Sequence, residues 1–223
     1  MFDLRGYSLS DFFLYSPETY YRLLEIYNLD LWPMQIAAVV LGAVLIGLAS
    51  SPGPGRGRII AAGLAASWLS VAYAFHLERY ATIHFAAWIF GAFFIVQAAL
   101  LLWVGVVRNQ MQLNLGGEFA GRTGLGFAAF AVFFQPLIER LAGRTWSEVD
   151  VFALMPDPTV IATFGFLLMM VGRIEWKLLI IPFLWSAISA AAAWPMGAYE
   201  NLVTPVGGAL TFAITGWKSI RAV

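Results

Sequence analysis

Apolar runs of helical length recur along this chain, separated by short polar segments. The stretches 31–50, 59–76, 83–107, 125–141, 159–172, 177–194 and 202–217 are dominated by aliphatic and aromatic residues. A helix needs about 20 such residues to cross the hydrocarbon of a bilayer. The pattern predicts an all-α membrane protein, a bundle of about seven transmembrane helices over residues 31–223. The fifth stretch is the exception. Its 14 residues, at roughly 1.5 Å each, do not cover the hydrocarbon. It must start near Met155, thin the bilayer, or be a half-helix buried among neighbours; pairing with the sixth stretch as a re-entrant unit is the topological alternative. Pro156 and Pro158 mark its entrance, and Pro182 is expected to kink the sixth stretch.

Residues 1–30 break the pattern, being mixed and aromatic. Ser16-Pro17-Glu18-Thr19 reads as a helix start, with Ser16 as cap, Pro17 at the first helical position and Glu18 at the positive dipole end. Tyr20, Leu24 and Tyr27 then share one face. The expectation is a separate interfacial segment with a short amphipathic helix along the membrane surface, or a docking handle for other membrane subunits. Asp3, Asp11, Glu18, Glu25 and Asp30 in this segment argue against a cleaved secretory signal.

Composition supports the membrane assignment. Hydrophobic residues make up 61% and charged residues 12%, against about 45–50% and about 25% in soluble domains. With no cysteine in the chain, disulfides, thiolate metal sites and cysteine nucleophiles are excluded. Charge adds orientation. The net charge of zero divides into one face with 11 acidic and 5 basic residues and another with 2 acidic and 8 basic. The basic set is Arg56, Arg58, Arg108, Arg122, Arg173, Lys177, Lys218 and Arg221, and positive loops stay cytoplasmic. The N-terminus is therefore expected outside and the C-terminus inside, in the inner membrane if the cell is bacterial. Trp32, Trp146 and Trp194 would form the outer aromatic belt, and Trp103, Trp176 and Trp217 the inner one. The expected partner is the lipid bilayer, with no call for nucleic acid.

Candidate chemistry is sparse. The turn between the second and third stretches holds both histidines, His76 and His84, with Glu78 and Arg79. Two imidazoles and a carboxylate suit a metal ion, so His76, Glu78 and His84 form a possible metal set; the alternative is that these groups satisfy helix ends, with Glu78 pairing Arg79. The short turn disfavours haem, and retinal is disfavoured because Lys218 stands at the end of the seventh stretch. No cofactor is required. A second outer-face cluster comprises Glu139, Arg140, Asp157, Glu200 and Asn201, next to Gln135. With the histidine turn it could line an acidic vestibule for a cation, or be solvated loop ends. Gln97 is the main polar residue at depth, a candidate path for a solute or an interhelical hydrogen bond. With no charge there, an ion-driven pump is disfavoured. Small residues at four-residue spacing (Ala43/Gly47, Gly63/Ser67, Ser186/Ala190, Gly207/Thr211/Thr215) predict close helix packing. Stretches one to three and five to seven would share orientation, as in parallel-repeat facilitators, though the Pro-Gln signature of those families is missing.

The stretches Ser8-Leu9-Ser10-Asp11-Phe12, Ser16 to Tyr21, Tyr27-Asn28 with Trp32-Pro33, Ala86 to Gly91 and Ile180 to Ser186 carry a resemblance. The chain resembles an uncharacterised family of bacterial integral membrane proteins, some of which bear a generic permease label. The resemblance implies a polytopic inner-membrane protein and no established activity. A Cys-Pro pair often stands in that family where this chain has Asp157-Pro158, which would exchange a soft ligand for a hard one. The leading expectation is a small-solute or ion permease with a path near Gln97, and an enzyme is the weaker expectation. The alternatives are a non-catalytic subunit or assembly factor docking through residues 1–30, and a metal-binding protein built on the two histidines.

Overall fold

The computed structural model of the protein describes residues 15–51, 53–114, 119–172, 174–196 and 202–221. Among the described residues it is an all-helical bundle without strands. The helices are α1 (Pro17–Asp30), α2 (Met34–Ala49), α3 (Arg56–Thr82), α4 (Ala87–Val107), α5 (Phe119–Leu141), α6 (Pro156–Leu168), α7 (Ile180–Met196) and α8 (Val203–Arg221). The end of α3 and the loop between α5 and α6 meet α1 at one end of the bundle.

Four helical lengths are long and apolar enough to cross a membrane: α3, α4, α5 and Trp176–Ala193. The bent pair α1–α2, meeting at 84°, raises this to five if it is one span. The expected seven is therefore reduced to four or five on length and hydropathy, for two physical reasons. In α8 the buried Thr204, Thr211 and Thr215 and the terminal Lys218 dilute the apolar character, and the threonine side packs against α6. Helix α6 has only 13 residues, every one of them buried. It is walled by α5, α8, α7 and α3, so no part of it has to match the bilayer thickness. This is the buried half-helix among the alternatives, with its N-terminus at Pro156 and its cap at Met155. Beyond its end the backbone pairs with the loop after α4: Asn114 donates to the Met169 carbonyl (3.0 Å) and Val171 to that of Gln112 (2.8 Å). Lys218 Nζ donates to the Met170 carbonyl at 2.6 Å. Backbone that is not helical at such depth has to find partners within the protein.

The close crossing of α5 on α6 rests on two glycines that are not among the small-residue pairs expected. A Cβ on Gly165 would stand 2.5 Å from the Gly124 carbonyl oxygen. Of the expected positions, Gly63 abuts Leu45 of α2, whereas Gly47 faces open space. The outward faces carry large apolar side chains, among them Ile36, Val40, Val44, Trp88, Ile95 and Phe212. An apolar exterior of this extent is the surface that lipid covers. Trp32 and Trp146 are exposed at the α1 end, Trp103, Trp176 and Trp217 at the other, as two aromatic belts require. Trp194 lies outside the described side chains.

Helix α1 starts as its sequence indicates: Ser16 Oγ accepts the Thr19 N–H at 3.4 Å and Pro17 opens the helix. Its aromatic stripe, however, turns into the protein and not toward lipid. Leu24 and Tyr27 are fully buried in the common core. Tyr27 Oη donates to the Leu154 carbonyl (3.0 Å), and Asn28 Nδ2 to those of Ser147 (2.9 Å) and Val149 (3.1 Å). These bonds strap α1 across the loop between α5 and α6. Pro182 falls in the first turn of α7, where a missing N–H breaks no helical bond, so it does not kink that span mid-way.

Candidate functional site

Under α1, between the end of α3, the start of α6 and the end of α7, lies a cavity of about 70 Å³. Its roof is Tyr15, Tyr20 and Tyr21 from the α1 segment, and its walls include Tyr80, Phe90 and Trp185. The rings brace one another. Tyr80 meets Tyr20 edge-on at 6.1 Å and stacks on Phe75 at 5.5 Å, while Phe90 meets Trp185 edge-on at 5.5 Å. Tyr15 and Tyr80 share a hydroxyl hydrogen bond, and burial pushes the Tyr15 phenol up, keeping it neutral. The turn from α3 into this wall is widened: the Glu78 N–H bonds to the Tyr73 carbonyl, five residues back, at 3.0 Å. Similar widened turns occur in α4 (Arg108 to Trp103) and α5 (Gln135 to Phe130). Such π-turns are frequent at functional sites.

Two carboxylates reach the cavity, Asp150 and Asp157. Asp150 belongs to a buried network in which two carboxylates share one guanidinium. Arg144 Nη1 stands 4.0 Å from Asp150 Oδ1 and 3.5 Å from Glu139 Oε2, and its guanidinium covers the Tyr21 ring at 4.7 Å. Glu139 also accepts from the Asp150 N–H (2.6 Å) and from Gln135 Nε2 (3.0 Å). Asp157 is held differently. Trp185 Nε1 donates to its Oδ1 at 2.6 Å and Ser189 Oγ to its Oδ2 at 2.8 Å. Both donors are neutral, and among the described residues no Lys, Arg or His lies within ion-pair distance of this carboxylate. Asp157 is only 6% exposed.

The residues singled out from sequence are distributed unevenly over this geometry. Glu139 and Asp157 are buried in or beside the cavity, so they are not solvated loop ends. Arg140 is exposed and donates to the Arg144 carbonyl at 3.2 Å. Glu200 and Asn201 lie outside the described residues. The histidine turn does not form a metal set: among the described residues no three His, Asp or Glu side chains gather around a common point. His76 is fully buried against Phe94 (4.6 Å) and Trp185 (5.2 Å), whereas Glu78 points to the exterior. Arg79 pairs with Asp30 of α1 and not with Glu78. His84 stacks on Tyr80 at 5.1 Å, its Nδ1 accepts the Ala86 N–H at 3.1 Å, and burial pushes its pKa down. Gln97 donates to the Leu178 carbonyl at 2.9 Å, an interhelical bond that anchors the turn before α7, and it lies away from the cavity.

Asp150, Tyr80, Trp185 and Ser189 are site residues that the sequence did not single out. Trp185 carried a usable signal. It sits mid-stretch, outside both interfacial belts, where an indole N–H has to find a partner within the protein; that partner is Asp157. No curated protein and no solved structure matches the chain. Residues 17–222 match a family of unknown function, DUF6064, a length that takes in every helix from α1 to α8, and the chain belongs to that family.

Proposed function

We propose that this protein is a small-solute permease of the plasma membrane, the inner membrane in a bacterial cell, with the cavity under α1 as its solute site. The α1 end faces outward and the Arg- and Lys-bearing end faces the cytoplasm, as the positive-inside rule requires. One observation carries this reading: a partly enclosed space of about 70 Å³ at one end of the bundle, lined by aromatic rings and two carboxylates. Ligand sites are typically concave and mostly apolar, with a few placed polar groups. The solute path belongs with Asp157 and not with Gln97, whose Nε2 donates to the Leu178 carbonyl and which does not line the cavity. The subunit alternative is weakened because the aromatic stripe of α1 is spent inside the bundle.

Solute uptake by the purified protein in liposomes tests the reading. Ala192 lines the cavity, and Ala192→Trp would fill it. Uptake that falls at least about tenfold in a variant with unchanged helical content is the expected result. Uptake indifferent to that plug would place the path elsewhere.

A further inference from the structure

We propose that the cavity under α1 takes a small organic ammonium ion, with Asp157 as its counter-ion and the rings of Tyr20, Tyr80, Phe90 and Trp185 as its cage; this rests on the solute-site reading above.

The two carboxylates that reach the cavity differ in what balances them. Asp150 has Arg144 at 4.0 Å. Asp157 has neutral groups alone at contact range: Trp185 and Ser189 each donate to one oxygen, the Thr204 hydroxyl lies beside it, and Arg144 acts on it only from beyond ion-pair distance. A carboxylate removed from water without an opposite charge is strongly disfavoured, so a positive ligand in the adjoining space would supply the charge that the described residues do not place beside it. The Trp185 indole and the Ser189 hydroxyl fix the plane of the carboxylate and leave lone pairs on both oxygens.

The walls select the kind of cation. Hard metal ions require six or more oxygen ligands, and this lining is mostly aromatic carbon. Aromatic faces attract cations that shed water easily, and quaternary ammonium groups are the usual guests of aromatic cages. The same end of the bundle already uses this chemistry, where the Arg144 guanidinium covers Tyr21 at 4.7 Å. A neutral solute would leave Asp157 unbalanced, and an anion would be repelled by both carboxylates. Size narrows the class further. At about 10–15 Å³ per water centre, the space of about 70 Å³ holds a ligand of about five to seven non-hydrogen atoms.

The test uses the full-length protein in lipid nanodiscs, with calorimetric titration of choline and of its uncharged isostere 3,3-dimethylbutan-1-ol at constant ionic strength. Choline is expected to bind saturably at one site per chain, at least about tenfold more tightly than the isostere. Asp157→Asn should abolish that preference, and Phe90→Leu, which alters no polar group, should weaken choline several-fold. Equal binding of the two probes, choline affinity unchanged in Asp157→Asn, or no binding of choline by the folded wild-type protein would each overturn the proposal. Choline uptake into liposomes separates the two readings. Binding without uptake defeats the permease and leaves the ammonium site standing; uptake of another solute by a protein that ignores choline defeats the ammonium site alone.

Discussion

The two ends of the bundle treat charge in opposite ways. At the α1 end Glu139, Arg144, Asp150 and Asp157 are folded into the protein, each less than 9% exposed. At the other end Arg58, Arg108 and Arg122 remain exposed, and Lys177 pairs with Glu175 at the surface (3.1 Å). Residues of the same kind are thus spent on interfacial anchoring at one end and on a built interior site at the other. Burying an ion costs several kcal/mol, whereas leaving it in water or among headgroups costs little. The end that accepts that cost is where binding chemistry is to be sought. The charge counts that orient the chain do not reveal this difference, because they treat a buried and an exposed aspartate alike.

The largest effect that would break this contrast is expected at Arg144. Replacing it with Met leaves Glu139 and Asp150 buried without their cation, and should cost about 3–5 kcal/mol in reversible unfolding in mixed micelles. Arg58→Ala at the exposed end should stay within about 0.5 kcal/mol; equal losses would erase the distinction. Lys218→Met is intermediate. It removes the donor to the Met170 carbonyl at the deep end of α6, and a loss of about 1–3 kcal/mol is expected by the same measurement. Asp157→Asn should act in the reverse direction, stabilising the ligand-free protein by on the order of 1 kcal/mol, because an unbalanced charge leaves the interior. A loss of stability there would mean that Asp157 already has its counter-charge within the fold.

The smallest effect concerns pH. Burial lowers the His84 pKa, and its Nδ1 must be unprotonated to accept the Ala86 N–H. The unfolded chain therefore takes up the proton more readily than the folded one. His84 supports stability above about pH 6.5, the ordinary imidazole value, and that support is lost as pH falls from there through the lowered folded value. His84→Gln should flatten the dependence slightly in unfolding curves recorded from pH 7.5 to 5; an unchanged slope would show that His84 takes up its proton equally in the folded and unfolded chain.

The sequence was most legible where residues act locally. The start of α1 at Ser16-Pro17, the entrance of α6 at Pro156 and both tryptophan belts follow from caps, proline placement and interfacial preference. Three features were hidden in whole or in part. The short length of α6 admits a buried half-helix, but its composition does not select it, because lipid and protein interior are equally apolar. The Gly124–Gly165 contact joins residues far apart in the chain, and spacing of four within one helix does not report it. His76 enters the aromatic core while Glu78 stays outside, because residues two apart on a helix point to opposite faces, which their nearness in the sequence conceals. Asp157 was legible as an acid at the α1 end, but its neutral partners Trp185 and Ser189 come from a different helix.

The central claim is that the α1 end holds an outward-facing cavity governed by the negative charge of Asp157. Because the chain has no cysteine, a single thiol at Ala192→Cys reports on that space without background. Its labelling by membrane-impermeant cationic and anionic methanethiosulfonates of matched size, applied to intact cells, measures access and field together. The account predicts labelling from outside, at least about tenfold faster by the cationic reagent, with the preference lost when Asp157→Asn is added. Equal rates for the two reagents, or a thiol reached only after the membrane is opened, would contradict it.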